Sequence, residues 1–588
     1  MCGISGWSFS PGAEPGAAVL DLMSESIRHR GPDDQGVYRN AASGIALAFR
    51  RLSIIDLTAA SHQPMIDAET GVTLVYNGEL YNFRTLREQL RSLGHAFASE
   101  GDAEVVLKSY LQWGSECFNH FAGMFALALW DNRTGILHLA RDPMGMKPLY
   151  YVVKPGGVVF ASEIKAFRAL ENFQFVPSKL GLQQYLEFGY VFDEHLTFLE
   201  EVRKLPAGCR MEIWSGAEFR LHRYFSPSAP STDDRRSESE RVDELRDVLE
   251  QVTAEHLIAD VPLGLLLSGG LDSSVLAALA ARKAPLLTIS MGFSDSAVDE
   301  RPHARRVADF IGSRHLEVLI TPQEVMAEVE SGAWVFDDLF ADWGTITTRL
   351  MYRRCREQGI KVVLVGEGAD ELFGGYDVFA TPQGLNAWQL FRLYQRYAGR
   401  RHGVLFGSFR EVMYPYLAEG RGDAFHAVRL FESRRQLPNQ YVMKVDKASM
   451  AESIEARAPY LDRRIAELAY RTPRAWLLRN GENKYLLRAV ARREQLLPDG
   501  ISERLKFGAP LAASWMDDNP AFRRFARERL LEGAWCRRLG LEPAMRAYFD
   551  QGRAGYRFPS GLSIFRNLAW RLLLLELWSV NYLKAMPA

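Results

Sequence analysis

Leu263-Gly264-Leu265-Leu266-Leu267-Ser268-Gly269-Gly270-Leu271-Asp272-Ser273-Ser274 sets an apolar run against a glycine pair, an aspartate and two serines. The helix-forming run Val275-Leu276-Ala277-Ala278-Leu279-Ala280 follows at once, so the stretch predicts strand, tight turn and helix. Gly269 and Gly270 allow backbone conformations that a side chain forbids and a close approach to a ligand. Ser273 and Ser274 place hydroxyls in the first helical turn, where free N–H groups and the positive dipole end suit a polyphosphate. Asp272 would repel phosphate unless a bridging Mg²⁺ joined the two. A plain capped helix explains neither the double glycine nor the stacked hydroxyls. The phosphate loop of kinases and GTPases, with its Gly-Lys-Ser/Thr ending, occurs nowhere in the chain.

Outward from this loop, apolar strands alternate with helical stretches. Leu286-Leu287-Thr288-Ile289-Ser290-Met291, Leu316-Glu317-Val318-Leu319-Ile320 and Lys361-Val362-Val363-Leu364-Val365 are the strand candidates. Such alternation predicts an α/β doubly wound parallel sheet with ligands at the strands' C-terminal ends. The last of these strands runs into Gly366-Glu367-Gly368-Ala369-Asp370-Glu371-Leu372-Phe373-Gly374-Gly375-Tyr376. Three acidic groups at the end of a buried strand cost several kcal/mol each, at about that order, unless a cation pairs with them. Metal binding and catalysis explain them better than packing does.

Ser268-Gly269-Gly270-Leu271-Asp272-Ser273-Ser274 resembles the pyrophosphate loop of the ATP pyrophosphatases, which cut ATP between the α and β phosphates. The acidic segment, the segment from Lys444 to Asp462 and Asn483-Lys484-Tyr485-Leu486-Leu487-Arg488 are similar to motifs of the glutamine-hydrolysing asparagine synthetases. That resemblance implies a nucleotide site built from Leu267, Ser268, Gly269, Gly270, Leu271, Asp272, Ser273, Ser274, Met291, Val365, Gly366 and Lys484. It further implies that Asp272 and Asp370 bind Mg²⁺, and that Glu367 is a general base or orients the acceptor. Lys484 would neutralise charge on the leaving pyrophosphate.

The chain opens Met1-Cys2-Gly3-Ile4, and removal of Met1 would give Cys2 a free α-amine. An α-amine has a pKa of about 7.7–8.0, so it can act as base for its own thiol. A cysteine at this position is more often a small hydrophobe, and the segments that follow decide the matter. Arg28-His29-Arg30-Gly31-Pro32-Asp33 reads as a polar turn, and Arg50-Arg51-Leu52-Ser53-Ile54-Ile55-Asp56 as strand-like. Leu74 to Asn82 reads as strand, turn and helix start, and Gly101-Asp102-Ala103-Glu104-Val105 opens a helix. Together these motifs resemble the glutaminase domain of class II, N-terminal-nucleophile amidotransferases. The resemblance implies an αββα sandwich with Cys2 as nucleophile and Asn77 and Gly78 as oxyanion donors. It places Arg51 on the substrate carboxylate and Asp102 with Glu79 on its α-ammonium. His29 is expected to steady a turn rather than act as base. Met124 to Trp130 and Ile136 to Arg141 flank Asp131-Asn132-Arg133-Thr134-Gly135, a hairpin signal. The stretches 141–150 and 161–166 are expected at the interface between the two halves, along the path of ammonia.

A chain of 588 residues exceeds a single ordinary core. Residues 2–225 are expected to form the glutaminase domain, 226–240 a Ser/Pro-rich linker and 241–588 the synthetase domain with a helical C-terminal part. The net charge of -1 gives no electrostatic ground for nucleic-acid or membrane partners. Five scattered cysteines without a CxxC argue for a reducing compartment and against zinc. No signal-peptide pattern is visible and the apolar run Leu572 to Trp578 reads as a buried helix, so a cytoplasmic protein is expected. The substrates expected are glutamine, ATP and a carboxylate, with aspartate foremost and a uronic acid or peptide-like acid as alternatives. Departures at Asp337 to Arg349, including Trp343 and Thr345, and at Arg504 to Pro510 leave the acceptor open. A silent glutamine- or nucleotide-binding regulatory paralog is the reading from another class. The joint presence of Cys2, Asn77, Asp272, Glu367, Asp370 and Lys484 speaks against it. A homodimer is expected from the family.

Overall fold

The computed structural model describes residues 2–214, 216–227, 235–293, 299–376, 423–503, 511–551 and 559–583, with a few single positions between 379 and 420. The stretch Arg504 to Pro510 and residues 228–234 of the Ser/Pro-rich segment lie outside the described residues.

The first half is built on two six-stranded sheets. One contains β1 (Gly3–Phe9), β2 (Asp34–Asn40), β3 (Ile45–Arg51), β8 (Tyr150–Lys154), β9 (Gly157–Ala161) and β10 (Val202–Lys204), in the order β10-β8-β9-β1-β3-β2. The other holds β4 (Met65–Ile66), β5 (Thr73–Leu80), β6 (Gly123–Asp131), β7 (Ile136–Arg141), β11 (Cys209–Ile213) and β12 (Phe219–Arg223). All their pairings are antiparallel. Strand alternation sends Ile4, Leu47, Phe49 and Phe160 from one sheet against Val75, Ala126, Ala128 and Leu139 from the other. The outer face of the second sheet carries Leu74, Tyr76 and Leu127 under the helices Phe83–Ser92 and Asp102–Trp113. The helix Ala17–Ser26 covers the first sheet through Leu20 and Met23. Helices outside and sheets inside make the expected αββα sandwich. Both faces of the central strands are buried, which is why they read as continuous apolar runs.

Two local readings change. The segment at Arg50 leaves the sheet at Arg51, so Leu52 to Asp56 is loop rather than strand. No turn occurs at Asn77-Gly78, because β5 runs unbroken to Leu80 while pairing with β6 along its whole length. The Asn-Gly pair, a hairpin signal in isolation, is overridden by that ladder.

The second half centres on a wholly parallel sheet of β13 (Leu263–Leu266), β14 (Leu287–Phe293), β15 (Arg314–Ile320), β16 (Val362–Leu364) and β17 (Glu455–Arg457), ordered β15-β14-β13-β16-β17. The order reverses between β13 and β16, and such a switch point opens a crevice at the strands' C-terminal ends. Only β17 escapes a reading by pattern, since three residues show no periodicity. Beyond the sheet the chain is helical, and the helix Pro559–Tyr582 buries Leu572, Leu573, Trp570 and Trp578. Among the described residues no helix is long and apolar enough to cross a membrane. The five cysteines are free and buried.

Charged side chains join the halves. Arg30 is wholly buried, donating from Nη1 and Nη2 to the Asp446 carboxylate at 2.9 and 3.1 Å and from Nη1 to Glu163 at 2.9 Å. Lys147 reaches Asp446 at 3.4 Å, and Lys165 N donates to the Asp337 carboxylate at 2.9 Å. The stretches 141–150 and 161–166 thus do lie at this junction. Burial alone would raise the Asp446 carboxyl, but Arg30 and Lys147 hold it below its usual range. Asp446→Ala leaves Arg30 buried without its bidentate partner, which costs about 3–5 kcal/mol. A clear fall in the thermal unfolding midpoint is expected, and an unchanged midpoint would remove this pair from the junction's stability.

Candidate functional site

The described residues form two separate chemical sites. The first opens at the head of β1. Cys2 N donates to Asn77 Oδ1 at 2.9 Å, across the two sheets. That bond turns Asn77 Nδ2 inward, where it is buried and has no hydrogen-bond partner among the described residues. A buried donor left unpaired costs about 1–3 kcal/mol, and beside a cysteine it is placed as an oxyanion donor. Burial pushes the Cys2 thiol up, with the Leu52 N–H and Arg51 pulling it down. A raised thiol needs a base, consistent with the chemistry of an adjacent amine.

Cys2, Arg51, Gly78, Glu79 and Asp102 line one pocket, together with Gln63 and Tyr76. Arg51 Nη1 donates to Thr58 O at 3.0 Å, and Nη2 donates to Asp56 O. No carboxylate of the described residues pairs with Arg51, so its buried charge is available to a ligand carboxylate. The surface ion pair of Arg51 with Asp102 that the residue types alone would suggest is not formed. Asp102 instead accepts from Leu80 N at 2.8 Å and from the Tyr76 hydroxyl at 3.0 Å. Burial and then the neighbouring Asp102 push the Glu79 carboxyl well above the usual range, against Arg457. Burial raises Asp102 too, with the Leu80 N–H and Tyr76 hydroxyl opposing it. Two buried carboxylates that destabilise one another suit a ligand ammonium. A guanidinium and two carboxylates lining one pocket match the two charges of an α-amino acid. His29 lies outside this pocket: its ring contacts Glu163 at 3.1 Å and its carbonyl accepts from the Ser453 hydroxyl at 2.7 Å. It serves the junction, as a turn residue.

The second site sits at the switch point. Gly269 takes φ of 69°, and a side chain there would strike the backbone of His303 and Ala304. The loop is internally tied: Ser268 N donates to Ser273 Oγ at 3.2 Å, and Ser268 Oγ contacts Ser273 Oγ at 3.0 Å. No side chain caps the helix Leu271–Ala281, so its first amides are not consumed locally. Leu267 N donates to Ile289 O at 2.7 Å, which sets the loop beside β14 and Met291. A side chain at Gly366 would come within 3.2 Å of Ser273 N, so the segment after β16 lies close on the loop after β13.

Lys484 joins them. Its Nζ lies 2.6 Å from Asp272 Oδ2 and 2.6 Å from Asp370 Oδ1. All three residues are buried, and Lys484 adopts a left-handed φ of 51°, a strained choice for a lysine. One ammonium held equally by two carboxylates shows that both aim at a common cation position. Mg²⁺ bound through one or two carboxylates and substrate phosphates fits this donor set. Among the described residues no larger acidic cluster could hold a metal by itself. Glu367 is half-buried at the crevice, and Glu371 accepts instead from the Tyr376 hydroxyl.

Several participants escaped the sequence reading. Gly375 approaches Asp370 and Lys484 so closely that a Cβ would overlap both, and the Gly374-Gly375 doublet was its only signal. Tyr76 supports Asp102, and Arg457 contacts Glu79 at 3.3 Å from the other half of the chain. Trp343 stacks on Trp570 at 4.6 Å and donates to Asn567 at 2.9 Å, so it anchors the final helix.

Comparison with known proteins places each half of the chain in a family. Residues 1–225 match the family model for the glutamine amidotransferase domain, and residues 244–580 match that for asparagine synthase. A chain from Mycobacterium bovis is 34% identical over 577 residues, covering 87% of each protein. Asparagine synthetase (glutamine-hydrolyzing) 1 of Bacillus subtilis is 31% identical over 538 residues, 84% of each. Asparagine synthetase B (glutamine-hydrolyzing) of Escherichia coli is 29% identical, over 84% of this chain and 79% of that one. With family models matched over both halves and a relative 34% identical over 87% of its length, the chain belongs to the glutamine-hydrolysing asparagine synthetase family of ligases.

Proposed function

We propose that this protein makes asparagine from aspartate with glutamine as nitrogen donor and ATP as energy source. Residues 2–225 act as the glutaminase, 226–240 as a linker and 241–588 as the synthetase. Cys2, freed of Met1, attacks the side-chain amide of glutamine, its α-amine accepting the thiol proton. Asn77 Nδ2 and Gly78 N–H stabilise the oxyanion, ammonia leaves, and water resolves the thioester to glutamate. Arg51 holds the substrate carboxylate while Glu79 and Asp102 hold its ammonium. In the second site, the amides and hydroxyls of residues 267–274 cradle the ATP phosphates, with Met291, Val365 and Gly366 lining the nucleotide. Asp272 and Asp370 would hold Mg²⁺, which would supply positive charge opposite the phosphates. Lys484 adds positive charge there, and Glu367 orients the acceptor. The carboxylate attacks the α-phosphorus, giving an acyl-adenylate from which ammonia displaces AMP.

The Glu79–Arg457 contact carries this reading. It joins an amino-acid pocket directly to the strand next to β16, so one chain presents an ammonia source and an adenylating site back to back. Pyrophosphate release with ATP, Mg²⁺ and glutamine, with and without aspartate, tests it with asparagine quantified alongside. Aspartate-dependent pyrophosphate with matching asparagine is expected. Glutaminase activity without aspartate-dependent pyrophosphate would move the acceptor to another carboxylate, and absence of both would favour a silent paralog.

A further inference from the structure

Arg457 belongs to β17 of the parallel sheet, yet its guanidinium is wholly buried against the amino-acid pocket of the sandwich. Three of its contacts are local: Nε donates to Glu455 at 2.6 Å, and Nη1 donates to His256 O at 2.6 Å and Ile258 O at 2.7 Å. Nη2 is different. It is buried without a hydrogen bond and lies 3.3 Å from Glu79 Oε2. Glu79 Oε1 is likewise buried and unpaired. A structural arginine would be expected to satisfy all its buried donors. Here a donor and an acceptor stand facing each other, with the remaining carboxylate oxygen left over for a ligand.

We propose that Arg457 is a positioning residue of the glutamine pocket, supplied by the synthetase half, which orients the Glu79 carboxyl toward the substrate's α-ammonium. This rests on the pocket binding glutamine. The groups facing Glu79 are Asp102 from the helix Asp102–Trp113, Glu455 and Arg457 from β17, and the amino terminus at the head of β1. Asp102 and Glu455 disfavour its charge, so Arg457 is the buried side-chain cation that offsets them. The backbone extends the link: Val365 N donates to Arg457 O at 2.8 Å, immediately before Gly366 and Glu367. One residue therefore touches the ammonium end of the glutamine pocket and the strand end that forms the nucleotide crevice.

Glutaminase activity, measured alone without ATP or acceptor, tests the assignment through its pH profile. In the native protein, whose Glu79 carboxyl already stands well above its usual range, KM for glutamine is expected to rise as pH falls. Arg457→Met should raise KM about tenfold or more at neutral pH, with kcat near the native value because Cys2 and Asn77 are untouched. Its KM should begin to climb at a higher pH than the native one, because a carboxyl with a further raised pKa is protonated below that pKa and no longer attracts ammonium. Below that pKa the climb is about tenfold per pH unit. Arg457→Lys should restore most of the affinity and return the rise in KM toward its native pH. An Arg457→Met profile whose rise in KM falls at the native pH, or a fall in kcat alone, overturns the proposal. If Arg457→Met fails to fold, Arg457→Lys carries the test: a KM within about tenfold of native with kcat near native supports it, and loss confined to kcat overturns it. Absence of any glutaminase activity in the native protein overturns the pocket reading and this proposal together.

Discussion

Cys2→Ala should abolish glutamine-dependent synthesis and leave synthesis from ammonium intact. In the proposed mechanism the thiol is the nucleophile that forms the thioester, and among the described residues no other cysteine lines the pocket. Removing a covalent nucleophile typically costs on the order of 10⁴ or more in rate. Alanine fits the same space, so the Arg30 contact to the Cys2 carbonyl at 3.1 Å survives and the junction with Asp446 remains. Ammonium supplied in solution bypasses the pocket and reaches the acyl-adenylate directly. The measurement is pyrophosphate and asparagine formation with glutamine against ammonium chloride. Loss of both activities in a folded variant would sink the division of labour between the two sites.

Asp272→Ala should produce the reverse pattern. The Asp272 carboxylate sits against Lys484 Nζ at 2.6 and 2.7 Å and shares it with Asp370. Its loss leaves one carboxylate to hold the cation that counters the phosphates. One preorganised charge directed at developing charge is worth about 10²–10³ in rate, and losing metal affinity compounds that. Pyrophosphate release should fall by at least that factor with either nitrogen donor, while glutamine hydrolysis continues. The loop fold should persist, because Ser268 and Ser273 bind each other and Asp272 contributes only its carbonyl to the Tyr460 hydroxyl, at 3.0 Å. Unchanged pyrophosphate release would remove Asp272 from the metal site.

Much of this architecture was legible in residue order. The apolar runs after Pro262, at Leu287 and at Val362 are buried parallel strands, and burial on both faces leaves little choice but Val, Ile and Leu. The glycine pair with its aspartate and serines marked the nucleotide loop because that backbone shape tolerates few other residues. Motif resemblance supplied the residues of the first pocket, where pattern alone would have left Cys2 as a small hydrophobe and Arg51 as a surface cation. Local signals failed where long-range pairing outweighed them, as at Asn77-Gly78, where the β5–β6 ladder replaced a turn.

What the sequence by itself determined was the set of chemical groups and the strands and helices that carry them, since both follow from local periodicity and turn chemistry. Only the tertiary structure decided which groups meet. Asp272 and Lys484 are 212 residues apart yet form a 2.6 Å contact, and Asp370 shares that lysine because β13 and β16 are neighbours at the switch point. Glu79 and Arg457 meet because two sheets from different halves pack across a buried seam of opposite charges. Such contacts depend on burial, which lowers the dielectric around each pair and makes partner choice energetically decisive, and burial is a property of the folded whole.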